Sequence, residues 1–384
     1  MAKEIKINPL YPSVDMLREK ARKRIPGFAF DYVDGGCNNE INLARNTTDL
    51  REIQLMPYYL RGFKKLNLST ELFGEVYDAP FGVAPVGLQG LIWPGATEIL
   101  AKAAHEHNIP FILSTVATAD IETVAEITNG RSWFQLYHPA EEELRDKLLR
   151  RCEEAGIKTL VILSDVPTFG YRPKEIRNGL SIPPKMTWRN MVQITTHPRW
   201  ALSTLFAGQP EFKTVKPYIP KGLSLRHLGL FMNRTFSGRL NDDRLKQLRD
   251  SWKGNLVLKG VASAEDTEKA IAFGLDGIIA SNHGGRQLDH GPSTISTMDE
   301  ICAEGKGKIK IMMDSGIRCG PDIASALAKG AECTFLGRAF MYGVAALGKE
   351  GGDQVISILK TELQQIMEQL GCENIGSLSN HLIE

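Results

Sequence analysis

Short runs of apolar and β-branched residues recur along the chain, and between them apolar positions return every three or four residues. Eight such runs stand out: APFGVAPVG (79–87), IPFILS (109–114), SWFQLY (132–137), TLVILSD (159–165), NLVLKG (255–260), DGIIAS (276–281), IKIMMD (309–314) and ECTFLG (332–337). The stretches between them, such as ATEILAKAAHEH, EEELRDKLLRRCEEAG, AEDTEKAIAFG and GPDIASALAKGA, have amphipathic helical spacing. Strand–helix alternation of this kind implies a parallel sheet. A doubly wound sheet usually has five or six strands. Eight units therefore predict an α/β chain folded as a (β/α)8 TIM barrel, one domain over 1–384. A helical segment precedes the first strand, and a long insertion, 180–240, separates strands four and five.

Composition narrows the class without changing the fold. The 384 residues are 42% apolar and 24% charged, with a net charge of +1, which predicts a soluble globular protein with no nucleic-acid partner. Six cysteines (Cys37, Cys152, Cys302, Cys319, Cys333, Cys372) show no CxxC or zinc spacing, so no metal is expected and they read as reduced cytoplasmic thiols. The N-terminal residues lack the apolar core of a signal peptide. No apolar run approaches the ~18–20 residues needed to span a bilayer.

In a barrel of this type the chemistry sits at the C-terminal ends of the strands. Read in order, those ends carry Pro85, Ser114, Gln135 with Tyr137, Asp165, Lys259, Ser281, Asp314 and Gly337. After Ser281 the sixth run continues as NHGGRQLD, placing His283 and Arg286 three residues apart at the mouth of a strand. A turn needs a glycine and at most an aspartate, not that pair. One polar strand end is an ordinary solvated terminus; six facing one mouth indicate a site. Strand seven runs into DSGIRCGPD (314–322) and strand eight into GRAF (337–340). Glycine backbone N–H groups there, with Arg318 and Arg338, suit a phosphate-bearing ligand.

These residues resemble the FMN-dependent (S)-2-hydroxy-acid oxidoreductases, the family of glycolate oxidase, bacterial L-lactate dehydrogenase and (S)-mandelate dehydrogenase. The likeness runs from FDYVDGG (30–36) through WFQLY, LVLKG, SNHGGRQLD and DSGIRCG to LGRAF. LSTVATADIETVA (113–125) and HPRWALSTLFAGQPEF (197–212) are most similar to the lactate and mandelate dehydrogenase branch. The resemblance implies oxidation of an (S)-2-hydroxy acid to a 2-oxo acid, with FMN as cofactor and hydride transfer to flavin N5. It makes His283 the base, oriented by Asp165. Arg286 and Arg172 become the carboxylate forks, and Tyr32 and Tyr137 hydrogen-bond the substrate. Pro85, Val86, Gly87, Ser114, Gln135, Lys259 and Ser281 are expected around the flavin ring. Asp314, Ser315, Gly316, Arg318, Gly337 and Arg338 are expected toward its ribityl phosphate. Relatives are commonly tetrameric, so a homo-oligomer is implied. Quinone or O2 is the electron acceptor, the latter making an oxidase that releases H2O2. An FMN barrel of the isomerase kind is the alternative reaction class, and a non-catalytic flavin-binding protein the third reading.

The chain departs from its relatives at Val116, a tryptophan in glycolate oxidase, and at Leu163, a threonine in much of the family. Val116 with Gly87 nearby predicts room for a side chain larger than methyl. Trp93 replaces a histidine of some relatives and is given no role. Segment 185–239 holds nine lysines and arginines against one acid, Glu211. Among these cations lie Trp188, Trp200, Phe206, Phe212, Tyr218, Leu228, Leu230, Phe231 and Met232. Two readings follow: a lid packed on the barrel, or a surface held on anionic lipid, where each cation contributes ~1 kcal/mol. The second places a cytoplasmic protein peripherally on the inner face of the cell membrane.

Overall fold

The computed structural model describes residues 5–180, 185–220, 235–236 and 239–383. All eight predicted runs are strands of one parallel sheet: β3 (Phe81–Val83), β4 (Ile112–Ser114), β5 (Trp133–Leu136), β6 (Thr159–Leu163), β7 (Asn255–Val261), β8 (Gly277–Ala280), β9 (Lys310–Asp314) and β10 (Cys333–Leu336). Neighbours pair in sequence from β4 to β10, and β10 pairs with β3. A parallel bridge between Val83 and Phe111 closes the ring. The fold is a (β/α)8 barrel.

One element escaped the sequence pattern. A hairpin of β1 (Thr70–Leu72) and β2 (Glu75–Tyr77) precedes the barrel. Its Leu72, Phe73 and Tyr77 pack with the barrel-lining Ile112, Trp133, Val161, Val257, Ile279, Met312 and Phe335. The Trp133 indole N–H donates to the Tyr77 hydroxyl at 3.3 Å. At Gly277, the first residue of β8, a β-carbon would meet the Phe73 ring at 2.8 Å. The hairpin thus fills the N-terminal end of the barrel with apolar volume, about 1.5–3 kcal/mol per buried side chain. The opposite end is left for polar groups.

Three helices ahead of the hairpin, Val14–Arg24, Gly27–Asp34 and Ile41–Arg51, form the expected helical segment. The third lacks a local cap, because its N-cap residue Glu40 is left-handed and makes no side-chain cap bond. Asp289 caps it from about 250 residues away. Its carboxylate accepts the Asn39 N–H at 2.8 Å and the Asn42 N–H at 3.1 Å. Asn282 adds a side-chain lattice, donating to Asn42 Oδ1 (2.9 Å) and Asn46 Oδ1 (2.6 Å) and accepting from Asn46 Nδ2 (2.8 Å). Gly285 (φ +71°) allows the contact, since a β-carbon there would sit 2.6 Å from the Leu43 nitrogen.

Between β6 and β7 lie the helices Pro173–Arg177, Trp188–Thr196, Pro198–Ala207 and Asp242–Ser251. The predicted aromatics of this stretch divide. Trp200 is buried edge-on against Phe28, its indole N–H shared between the carbonyls of Leu91 and Ile92. Val215 and Phe236 are buried, with Phe212 and Ile219 packed beside them against Val116 and Tyr137. Trp188 and Phe206 instead remain 80% and 86% exposed, with Met186, Met191, Val192, Leu202 and Leu205 also exposed. Lys221, Arg226, Leu228, Leu230, Phe231, Met232 and Arg234 lie outside the described residues. Among the described residues no helix is long and apolar enough to cross a membrane.

Asp289→Ala removes the side-chain cap of Ile41–Arg51 and leaves the Asn39 and Asn42 N–H groups without it. We expect a loss of about 2 kcal/mol in unfolding free energy, measured by denaturant titration. A change below about 0.5 kcal/mol would show that the helix is held by its apolar face alone.

Candidate active site

The β8 loop carries the first cluster. His283 has φ +58°, a left-handed conformation uncommon for a non-glycine residue, and its N–H donates to Ser281 Oγ at 3.0 Å. That turn brings His283 Nδ1 within 3.1 Å of Asp165 Oδ1 at the end of β6. A carboxylate can only accept, so Nδ1 carries the proton and Nε2 keeps its lone pair. Burial lowers the His283 pKa, with Asp165 opposing, so the imidazole is neutral near pH 7. Burial alone would raise Asp165, but His283 and Lys259 outweigh it and its carboxyl lies below the usual range. The second oxygen, Oδ2, is buried without a partner among the described residues. Gly260 (φ +101°) makes way for this aspartate, for a β-carbon there would lie 2.6 Å from Asp165 Cβ.

Lys259 forms the second cluster. Its ammonium is buried, 2.8 Å from Asp314 Oδ2 and 2.8 Å from Ser281 Oγ. Burial disfavours its charge, yet Asp314 and Asp165 together raise its pKa. Ser315 (φ +77°) and Gly316 (φ +87°) turn the chain directly after β9, and Ser315 Oγ bonds both Asp314 Oδ1 and the Gly284 N–H. On the next wall, Thr115 Oγ1 donates to the Gln135 carbonyl at 2.6 Å and accepts the Tyr137 N–H at 3.1 Å. Ser114 and Gln135 are buried, and Gln135 Nε2 has no acceptor among the described residues. At Leu163 no hydroxyl is present, and the neighbouring Ser164 Oγ is turned to the Lys259 carbonyl.

Guanidinium groups make the third. Arg286 donates through Nη1 to the carbonyls of Tyr32 (2.8 Å) and Gly35 (3.0 Å) and through Nη2 to Glu175 Oε1 (2.6 Å). Arg172 reaches the same Glu175 oxygen at 3.4 Å, as well as the Arg286 carbonyl and Gln287 Oε1. Arg338 donates to the carbonyls of Val33, Gly284 and Gly35. Burial, and repulsion from Arg318, push the Arg338 pKa down to about 9. Tyr32 Oη donates to the Gly87 carbonyl at 3.2 Å, and burial raises the pKa of Tyr32 and Tyr137 so that both phenols stay protonated.

The structure therefore gathers His283, Asp165, Arg286, Arg172, Tyr32, Tyr137, Lys259 and the β3, β9 and β10 ends at one mouth. Pro85 and Val86 join them through β3, with Val86 Cγ2 lying 3.3 Å from where a Gly337 β-carbon would stand. Gly87 packs close to Val116, whose Cγ2 would stand 2.8 Å from a β-carbon there. Trp93, given no role, lies under the Arg24 guanidinium at 3.9 Å. Sequence reasoning missed Glu175, Gln287 and Thr115. Glu175 carried a legible signal, standing three residues after Arg172 on one helical turn. Also missed was His138, which follows Tyr137 and has both ring nitrogens buried and without partners among the described residues.

Known proteins match this chain along its length. Residues 21–384 fit the model of the FMN-dependent dehydrogenase family. The chain is 38% identical over 363 residues to L-lactate dehydrogenase of Vibrio cholerae serotype O1 (strain M66-2), covering 94% of this chain and 96% of that one. Among solved structures, the monotopic membrane protein (S)-mandelate dehydrogenase superposes with TM-score 0.92 at 35% identity, covering 98% of this chain and 100% of that one. A mandelate oxidase superposes with TM-score 0.82 at 31% identity, covering 97% and 98%.

Burial, with Arg244 adding to it, holds His138 at a pKa of about 4, below the ~6.5 of an exposed histidine. A depressed histidine contributes stability that is whole above ~6.5 and is lost as pH falls toward the folded value. Between pH 7 and pH 5 the wild type should lose on the order of 1 kcal/mol more than His138→Gln, read from thermal unfolding at both pH values. Parallel losses in the two proteins would place the acid sensitivity elsewhere.

Proposed function

The chain belongs to the FMN-dependent dehydrogenase family, and from that premise we propose that it oxidises an (S)-2-hydroxy acid of the lactate or mandelate kind to the 2-oxo acid, with His283 as base. The names of its relatives support the substrate class. The observation that carries the reading is a neutral His283 hydrogen-bonded to the Asp165 carboxylate, set beside two guanidinium groups at one barrel mouth. A flavin-binding isomerase of this fold has no need of a base with an orienting acid next to carboxylate forks, nor does a non-catalytic flavin carrier.

The residues fit FMN. Gln135 Nε2 is a buried donor with no acceptor among the described residues, as a polar ring edge requires, and Lys259 is a buried fixed cation on the same side of the barrel. Arg338 and Arg318 repel one another, as two groups awaiting a phosphate would. Ser315, Gly316 and Gly337 bring backbone close to these arginines. Bound FMN supplies the two-electron acceptor for the hydrogen leaving C2 of the substrate.

The chain's own residues do the rest. Arg286 keeps its Nε–H and one Nη2–H, and Arg172 two Nη–H, clear of partners among the described residues, so both can grip one carboxylate. Tyr32 and Tyr137, held neutral, donate to the substrate oxygens. His283 Nε2 takes the hydroxyl proton, and Asp165 stabilises the imidazolium that results.

For the electron acceptor, the exposed apolar face of the β6–β7 segment favours a membrane quinone over O2. Trp188, Phe206, Leu205 and Met186 stand out beside the exposed Lys185, Arg189 and Arg199. An apolar face ringed by cations is what an anionic lipid surface holds. The monotopic mandelate dehydrogenase supports this reading.

Anaerobic addition of L-lactate or L-mandelate to the FMN-loaded protein should bleach the flavin. His283→Ala should retain FMN and slow bleaching about a thousandfold or more. Rapid bleaching of that variant would remove His283 from the mechanism; a wild type that bleaches with no 2-hydroxy acid would end the reading.

Wild type should pellet with anionic vesicles at low salt and less so at high salt, while the double variant Trp188→Ser, Phe206→Ser stays in the supernatant. Equal recovery of the two proteins, or no pelleting of either, would leave the segment as a lid only.

A further inference from the structure

Glu175 bonds the same two guanidinium groups that a substrate carboxylate is expected to meet. One of its oxygens takes Arg286 Nη2 at 2.6 Å and Arg172 Nη1 at 3.4 Å, and the three side chains are only 13–15% exposed. It sits on the helix Pro173–Arg177, which is pinned on both sides. Lys174 bonds Glu40 at 2.7 Å, and Asn178, just past the helix, bonds Asp31 at 2.7 Å. The Gly170 N–H also bonds Gln287 Oε1, and a β-carbon on Gly170 would collide with the Arg286 carbonyl. The backbone that carries Glu175 is therefore held on both sides.

Two guanidinium groups this close repel, and Arg172 lowers the Arg286 pKa while Glu175 opposes it. A single carboxylate on a pinned helix does two things at once. It holds both forks in register, and it stays as a negative charge beside whatever anion the forks bind. Arg286 cannot swing away to compensate, because Nη1 is committed to the carbonyls of Tyr32 and Gly35.

We infer that Glu175 is a positioning residue and counter-charge of the carboxylate site: it keeps Arg286 and Arg172 together and limits how tightly a carboxylate is held, so that the 2-oxo acid leaves after each turnover. The inference rests on the hydroxy-acid reading and adds to it a determinant of product release. A purely structural glutamate would behave differently: its loss would disorder the forks and weaken anion binding. A counter-charge gives the opposite sign, with tighter binding on its removal.

The test titrates oxalate into FMN-loaded protein by calorimetry, alongside kcat and KM for L-lactate and L-mandelate. In Glu175→Gln the oxalate dissociation constant should fall about tenfold, with kcat and KM falling together as product is retained. Glu175→Asp keeps the charge but is one methylene too short to reach Arg286, so it should tighten oxalate by a smaller factor, about two- to threefold. Oxalate bound as in the wild type, or more weakly, by either variant overturns the inference, and the aspartate variant decides alone if the glutamine variant does not fold. A wild type that bleaches with a 2-hydroxy acid while the variants bind oxalate unchanged sinks Glu175 only. A wild type that neither binds oxalate nor bleaches sinks the hydroxy-acid reading as well.

Discussion

The carbonyl end of the helix Gly27–Asp34 holds the site together. Tyr32, Val33 and Gly35 turn their oxygens toward Arg286 and Arg338, two guanidinium groups that reach there from the β8 and β10 ends of the barrel. A helix C-terminus carries partial negative charge, so these bonds compensate cations without adding a full anion. Five cations, Lys259, Arg172, Arg286, Arg318 and Arg338, crowd this mouth, and the carboxylates in contact with them are fewer. Lys259 has Asp314 and the Arg286–Arg172 pair has Glu175, but among the described residues Arg338 hydrogen-bonds only to carbonyls and its pKa falls to about 9. The remaining positive charge is what makes this end of the barrel receptive to a phosphate and a carboxylate.

That arrangement explains why SNHGGRQLD is so dense. Ser281 bonds Lys259 and the His283 N–H, and Asn282 and Asp289 fasten the helix Ile41–Arg51. Gly284 and Gly285 exist as glycines because the Arg338 guanidinium and the Leu43 backbone occupy the space of their β-carbons. Gln287 bonds the carbonyls of Asp165 and Thr168, tying the β8 loop to the β6 loop that carries the partner of His283. Only Leu288 is exposed among the larger side chains. One loop thus fixes His283, Arg286 and the N-terminal helices in a common frame.

How much of this could be read beforehand follows from the range of each interaction. The eight barrel strands were legible because each is an apolar run of local sequence, and the strand-end residues followed from the strands. The β1–β2 hairpin was not, since two three-residue strands leave too short an alternation to notice. Asp289 as the cap of Ile41–Arg51, and Asn282 with Asn46, join positions more than two hundred residues apart and leave no local trace. The division of the β6–β7 aromatics was also invisible: Trp188 and Trp200 look alike in sequence, and only packing buries one and exposes the other. Glu175 was readable from its spacing to Arg172, but a carboxylate beside an arginine suggests a surface ion pair until Arg286 arrives from elsewhere in the chain.

The same burial that creates the site also sets its protonation states, and in one direction. Burial disfavours charge on His283 by more than Asp165 opposes it, so His283 stays neutral, and Tyr32 and Tyr137 keep their protons. Where opposite charges outweigh burial the charge survives, as at Asp165 and Lys259. In the proposed function, a neutral His283 next to permanent cations favours taking a proton from a hydroxyl whose carboxylate is already gripped, since negative charge developing on that oxygen is stabilised while the imidazolium is stabilised by Asp165. Burying unpaired cations carries a stability cost, and the largely apolar packing of the hairpin-filled opposite end offsets it. The barrel is stable at one end so that it can be strained and charged at the other.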